Sequence, residues 1–199
     1  FTANEAPADQ KIPFHHELAQ TSNPPSYVSF YCKQSAETGG ETPLIDSTLV
    51  YQFLHQKYPL IEKKFSKLGV FYKRVLPLND EPSSPIGRSW KNTYNVKTKE
   101  ELEEVLKQKN IKFSWLENDN LLTISEKLPA IFFNNETKQY IFNNSIIAAF
   151  LGWQDERNDR LNSIFYGNGE IIETDVLEDI ANFMEENRIL WQWKNGDMI

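Results

Sequence analysis

Apolar residues recur at helical spacing in several parts of the chain. After Ser47, a residue type that caps helices, Val50, Phe53 and Leu54 follow the i, i+3, i+4 pattern of an amphipathic helix. Helix-starting prolines, capping residues and helix-ending glycines mark further boundaries. The pattern predicts four helices: one capped by Ser47, one from Pro59 to Gly69, one from the capping box Thr98–Glu101 to about Lys109, and one from Thr174 or Asp175 through Asn187.

Short runs rich in β-branched and aromatic residues lie between these helices and favour strands. The run at 27–32 is rich in β-branched and aromatic residues and predicts a buried strand. The predicted strands are 27–32, 44–46, 70–76, 112–115, about 130–133, 140–143, and a last one that begins after the Asn195-Gly196 turn. Many short strands with helices between them predict a β-rich α+β fold in a single domain, 1–199.

Composition narrows the function classes. The net charge is −7 and the pI is near 5.1, so no cationic face is evident for a nucleic-acid partner. No apolar run approaches the length of a membrane span, so no membrane partner is expected. Cys32 is the only cysteine, which excludes an intrachain disulfide and allows a reducing compartment. The absence of targeting signals predicts a cytoplasmic protein. The oligomeric state is not predicted. The first residue is not methionine and the last ones enter a strand, so we expect a fragment, truncated at both ends.

The strongest candidate chemistry is His15-x-Glu17. Pro13 disfavours helix nearby, and in an extended backbone side chains at i and i+2 leave the same face. An imidazole and a carboxylate there, with a second imidazole from elsewhere, would form the facial triad of non-haem iron oxygenases. The alternative is a histidine pair that makes ordinary hydrogen bonds. His16 points away from His15 in this pattern, which favours packing, and His55 is interpreted as a helix-face residue.

A long loop at 77–92 carries three prolines and is typical of a lid or binding loop. Arg88 and Trp90 lie in it and are candidate substrate contacts, with Arg88 suited to a carboxylate. An ordinary surface arginine is the alternative. Asn143 ends a predicted strand and is a third candidate substrate contact, although a turn or cap role is the simpler interpretation.

Several motifs, in order and at consistent spacing, resemble the TauD/TfdA superfamily of Fe(II)/2-oxoglutarate oxygenases, most closely the plant clavaminate synthase-like proteins. The resemblance spans the chain. The runs that carry it are Phe14-His15-His16-Glu17-Leu18-Ala19-Gln20, Phe30-Tyr31-Cys32, Gly39-Gly40-Glu41-Thr42-Pro43, Pro82-Ser83-Ser84-Pro85-Ile86-Gly87-Arg88-Ser89-Trp90, Ala148-Ala149-Phe150-Leu151-Gly152-Trp153, Tyr166-Gly167-Asn168-Gly169 and Trp193-x-x-Gly196-Asp197.

The resemblance implies a function and a fold. His15 and Glu17 match the family's iron-ligand pair, and Thr42 matches the threonine that hydrogen-bonds 2-oxoglutarate. The implied fold is a double-stranded β-helix (jelly-roll, cupin-like) with helical insertions. The implied activity uses Fe(II), 2-oxoglutarate and O₂ to oxidise a small molecule, with hydroxylation as the expected reaction. In the same reaction 2-oxoglutarate is decarboxylated to succinate.

The family's distal histidine and its 2-oxoglutarate-binding arginine fall beyond Ile199. The resemblance therefore implies a jelly roll that is incomplete at its C-terminus and a fragment inactive by itself. Two alternatives remain: a non-catalytic jelly-roll binding protein, or pseudoenzyme, of the same family, and a metal-dependent enzyme of different chemistry.

Overall fold

The computed structural model describes residues 11–199, which contain six α-helices and eight strands. The helices are α1 (Ser47–Lys57), α2 (Pro59–Leu68), α3 (Trp90–Tyr94), α4 (Lys99–Gln108), α5 (Ile146–Gly152) and α6 (Thr174–Glu186). The strands are β1 (Thr42–Leu44), β2 (Val70–Leu76), β3 (Lys112–Trp115), β4 (Leu121–Ile124), β5 (Phe132–Asn134), β6 (Gln139–Ile141), β7 (Ile164–Tyr166) and β8 (Ile189–Trp191).

Strand β2 is the centre of a four-stranded sheet in the order β3-β4-β2-β7. All of its neighbours run antiparallel: Arg74 pairs with Thr123 of β4, and Tyr72 pairs with Ile164 of β7. Where β7 ends, the side chain of Asn158 continues the pairing, because it accepts from Val75 N and donates to Val75 O. The backbone of β2 is therefore held along both edges.

Two hydrophobic cores lie along this sheet. The first packs Val70 and Tyr72 of β2 against helices α1, α2, α5 and α6, with Phe65, Phe142 and Phe150 all almost fully buried. The second packs Leu76 and Leu121 against α3 and α4, and it includes Trp90. Burying one such large apolar side chain contributes about 1.5–3 kcal/mol. Successive residues on one face of β2 therefore lead from one core to the other.

Local signals place several helix ends as predicted. The capping box of Thr98 and Glu101 opens α4, and Pro59 and Gly69 bound α2. The predicted cap of α1 was wrong by one residue: the side chain of Asp46, not Ser47, accepts from Thr48 N. An aspartate carboxylate at this position satisfies a free N–H of the first turn.

Two other predictions were wrong, one about the burial of a strand and one about the end of a loop. The 27–32 run is not a buried strand: Tyr27 is 80% exposed, and the run forms an isolated β-bridge in which Phe30 and Cys32 bond the last residues of the chain. Helix α3 begins inside the predicted 77–92 loop, so the loop proper is 77–89.

The described part is a mixed α+β domain with antiparallel sheets, and it contains more helix than strand, so β-rich was too strong. Its sheets have four, two and two strands, and the double-stranded β-helix stays a prediction. None of the helices in residues 11–199 combines the length and apolarity needed to span a bilayer.

Candidate metal and co-substrate site

His15 and Glu17 lie on an irregular segment that precedes β1 and presents both side chains to solvent. Nδ1 of His15 lies 2.9 Å from the carbonyl oxygen of Pro13, which can only accept. Nδ1 therefore carries the proton and donates it, and Nε2 is left with a free lone pair. Nε2 lies 3.9 Å from Oε2 of Glu17. This is how proteins orient a histidine toward a metal, with the second nitrogen fixed by a carbonyl.

The donor atoms fit a divalent metal. Two ligand atoms at about 2.1 Å from one ion, at a right angle, lie about 3 Å apart. The observed 3.9 Å therefore requires an approach of about 1 Å, and the side chains are 39% and 43% exposed, which leaves them room to rotate. Among residues 11–199, no group of three or more His, Cys, Asp or Glu side chains is placed to share a metal. The described residues thus supply a ligand pair.

His16 has a different role from its neighbour. Its ring is half-buried, with Nε2 2.7 Å from Ser47 Oγ and Nδ1 3.3 Å from Asn144 N. Burial lowers the pKa of His16, so the neutral ring, accepting from Asn144 N–H at Nδ1 and donating from Nε2 to Ser47, accounts for both contacts. The backbone N–H of His16 also donates to Asn144 O. His16 thereby fixes the ligand-bearing segment to the start of α1 and to the turn before α5.

A cavity of about 180 Å³ lies behind the ligand pair. His15, His16, Pro43, Ser47 and Asn144 are among its lining residues. Thr42 precedes Pro43 in β1 but is not in the lining. Its Oγ1 accepts a 2.8 Å hydrogen bond from Trp193 Nε1, so the hydroxyl proton of Thr42 is directed away from the indole and can donate elsewhere. The structure therefore places the two segments that carry His15 and Thr42 at one cavity.

The predicted substrate residues lie elsewhere. Trp90 is 1% exposed in the second core and donates from Nε1 to Asp119 O, so it acts in packing and not at the cavity. Arg88 is exposed on the 77–89 loop. Asn143 is not in the cavity lining, whereas its neighbour Asn144 is. The side chain of Asn144 also bonds Ala130 O and Ile146 N, which fixes it in place.

The 77–89 loop is fixed by ion pairs. Arg157 donates from Nη1 to both oxygens of Glu81 and from Nη2 to Asp155. Ser84 of the loop donates to the same Asp155 carboxylate. Such paired and hydrogen-bonded charges hold a loop in one conformation. The geometry does not support the predicted lid.

Sequence reasoning did not single out Tyr72 and Ser145, which adjoin the ligand-bearing segment. Ser145 N donates to Tyr72 Oη, and Ser145 Oγ donates to His16 O. Burial raises the pKa of Tyr72 far above its usual range, so the phenol stays neutral. The only signal in the sequence was the alternation of β2, which places Tyr72 on the same face as Val70.

Comparison with known proteins accords with this geometry. Residues 2–199 match the family described as taurine catabolism dioxygenase TauD, TfdA family. The chain belongs to this family. It is 38% identical, over its whole length, to the clavaminate synthase-like protein At3g21360 of Arabidopsis thaliana, of which it covers 60%. It is 26% identical to the dapdiamide synthesis protein DdaC of Enterobacter agglomerans and covers 61% of it.

The predicted family is therefore confirmed, including its similarity to clavaminate synthase-like proteins. The chain spans about 60% of the length of these curated relatives.

Proposed function

We propose that the full-length protein is an Fe(II)- and 2-oxoglutarate-dependent dioxygenase. It oxidises a small molecule, with hydroxylation as the expected reaction, and converts 2-oxoglutarate to succinate and CO₂. The observation that carries the proposal is the His15–Glu17 pair. A free imidazole lone pair and a carboxylate oxygen lie 3.9 Å apart in a chain of the TauD, TfdA family. An imidazole and a carboxylate are two of the three ligands of the non-haem iron triad.

The roles follow from the chemistry of each side chain. His15 Nε2 and Glu17 hold the iron, and the bond from His15 Nδ1 to Pro13 O keeps the ring in the ligating tautomer. The Thr42 hydroxyl donates to 2-oxoglutarate while its oxygen keeps the bond from Trp193. Bound iron with 2-oxoglutarate and O₂ supplies the oxidising chemistry. The third ligand and a cation for the co-substrate are assigned to sequence outside these residues, since the relatives are longer. A cytoplasmic location stays a prediction.

A second candidate is a non-catalytic binding protein of the same family. Such a protein would need the cavity beside His15 but no complete set of metal ligands. The cavity beside His15 would then hold a ligand without oxidising it.

The test uses the full-length protein with Fe(II) and 2-oxoglutarate. Iron affinity is measured by chelator competition under anaerobic conditions, and succinate formation by chromatography. His15→Ala and Glu17→Ala are each expected to weaken iron binding at least about 100-fold, because losing a ligand costs more than losing a residue that orients one. His55→Ala is the matched control: this exposed histidine of α1 contacts Glu62 and is expected to leave iron affinity unchanged.

Tight iron binding without succinate formation would favour the binding-protein alternative. Iron binding that survives both ligand substitutions would overturn the proposed site.

A further inference from the structure

Arg74 occupies an unusual position on the central strand. Side chains alternate along β2, so Arg74 shares a face with Tyr72 and Leu76. Tyr72 belongs to the first core and Leu76 to the second. A guanidinium thus lies between two hydrophobic cores, on the covered face of the sheet. Its backbone is fixed, because Arg74 pairs with Thr123, whose hydroxyl donates to Arg74 O.

Arg74 has no carboxylate partner in the described part of the chain. Across residues 11–199, the structure gives its side chain no ion pair and no hydrogen bond, and its guanidinium lies 5.5 Å from the Trp153 ring. The negative charge of Asp155 is near enough to act on the Arg74 guanidinium and raise its pKa. Its oxygens already accept from Arg157, Ser84 and Asn158, however. Partly withdrawing a guanidinium from water without such a partner costs free energy.

The electrostatic surroundings add to this cost. Burial lowers the pKa of Arg74, and the positive charge of Arg88 lowers it further, while Tyr94 and Asp155 oppose both effects. Arg74 nevertheless stays protonated, because an arginine pKa lies far above neutral pH. A guanidinium in such surroundings is stabilised by an anion placed near it.

A continuous set of side chains links Arg74 to the ligand-bearing segment. The Trp153 ring lies 5.9 Å from the Tyr72 ring as well as 5.5 Å from Arg74. The Tyr72 hydroxyl accepts from Ser145 N, and Ser145 Oγ donates to the backbone oxygen of His16. Arg74, Trp153 and Tyr94 are half-buried, whereas Tyr72 and Ser145 are each only 4% exposed. A series of contacts through Trp153, Tyr72 and Ser145 therefore connects Arg74 to His16.

We infer that Arg74 binds an anionic group, a carboxylate, of the small-molecule substrate, and that Trp153 and Tyr94 contact the substrate's apolar body. The inference rests on the proposed function, since the substrate is that of the oxygenase. Arginine presents a planar fork of donors that matches a carboxylate, and it stacks on aromatic rings. Arg74 is thus a specificity-determining residue.

The test measures binding without iron or 2-oxoglutarate, so it does not depend on activity. The probes are phenylacetate and 3-phenylpropionate, each compared with its neutral amide, titrated calorimetrically into the full-length protein. The wild type is expected to bind each carboxylate at least about 10-fold more tightly than its amide, as a charge-assisted hydrogen bond predicts. In Arg74→Met, which keeps the aliphatic stem, this ratio is expected to fall to about one.

Lys73→Met is the matched control, because Lys73 is adjacent but lies on the opposite face of β2. It is expected to keep the wild-type ratio. Arg74→Lys is a second variant that keeps the charge, and its ratio is expected to lie between those of wild type and Arg74→Met. Circular dichroism establishes that each variant is folded.

Equal affinity for carboxylate and amide in the wild type, or an unchanged ratio in Arg74→Met, would overturn the inference. Failure of succinate formation with the carboxylate preference intact would overturn the oxygenase proposal instead.

Discussion

Two irregular segments of this molecule carry polar side chains but differ in what those side chains bind. The His15–Glu17 segment follows Pro13, and the 77–89 loop contains three prolines. In the loop, polar side chains bind other residues of the protein: Glu81 binds Arg157, and Ser84 binds Asp155. In the His15–Glu17 segment, the described part of the chain gives the Glu17 side chain no hydrogen bond and no ion pair other than the one with His15.

The difference shows how a loop that supports the fold, here 77–89, differs from a segment that binds a ligand, here His15–Glu17. We call them the supporting loop and the binding segment. Charged side chains that are already paired within the protein stabilise the fold, and their atoms are not available to bind a ligand. A ligand-bearing segment keeps atoms such as His15 Nε2 free and is anchored by a neighbour, here His16. Both segments are irregular and polar, so the partners of each atom, and not polarity, distinguish them.

Removing Arg157 breaks the supporting loop and has the largest expected effect. Arg157 and Asp155 are 16% and 9% exposed, whereas Glu81 is 44% exposed, so most of the loss comes from Asp155. Arg157→Met is expected to lower the free energy of unfolding by about 3 kcal/mol at pH 7. Urea denaturation measures this change, and Lys112→Met, an exposed lysine of β3, is the control with an expected effect within about 0.5 kcal/mol.

The effect depends on pH in a defined direction. Burial alone would raise the pKa of Asp155, but hydrogen bonds from Asn158, the Arg157 backbone and Ser84, with the charge of Arg157, lower it on balance. A carboxylate with a lowered folded pKa stabilises the protein above its unfolded pKa of about 3.9, and this contribution is lost as the pH falls through the folded pKa. The difference between wild type and Arg157→Met is therefore expected to shrink below about pH 4. A constant difference from pH 7 to pH 3 would contradict this account.

Gly87 tests the same loop without removing a charge. A Cβ on Gly87 would lie 2.1 Å from the Glu81 carbonyl oxygen, a backbone atom that also accepts a hydrogen bond from Ser84 N. Gly87→Ala is expected to cost about 2 kcal/mol through this overlap.

Gly152→Ala is the matched control, since its Cβ would meet only Pro13 atoms at 3.5 Å. Thermal unfolding of both variants measures the difference. Equal stability of the two variants would mean that the 77–89 loop is loosely held, as a lid would be.

Elements with strong local signals were predictable from the sequence. The capping box fixes the start of α4, and the run of β-branched and aromatic residues fixes β2 at its observed bounds. Helix α5 was missed because Ile146, Ile147, Ala149 and Phe150 are all buried, which leaves no polar face and no helical period. The three residues of β7 are too short for a pattern and pair because β2 offers them an edge.

The candidate site was predictable only in part, for a related reason. Spacing and family resemblance pointed to His15 and Glu17, which the structure brings within 3.9 Å. Alternation shows that Lys73 and Arg74 lie on opposite faces, but not which face the helices cover. Likewise, apolar character made 27–32 a predicted buried strand without saying what surface would cover it, and Tyr31 is 67% exposed. Tertiary contacts decide such questions.

The two adjacent histidines give the closest comparison and the smallest expected effects. His16→Ala removes the bonds to Ser47 and Asn144 and is expected to cost about 1 kcal/mol in unfolding free energy. His15→Ala is expected to change stability by less than about 0.5 kcal/mol, since its ring is exposed and bonds only the nearby Pro13. Both are measured by urea denaturation at pH 8, with metal removed by chelation.

In the presence of Fe(II), His15 is expected to contribute more to the stability of the protein than His16. A metal that binds only the folded protein stabilises it by mass action. The melting temperature of the wild type is therefore expected to rise with Fe(II), and that of His15→Ala to stay constant. If His15→Ala proved the more destabilised of the two without metal, His15 would be an anchoring residue like His16. The contrast between the binding segment and the supporting loop would then fail at its central residue.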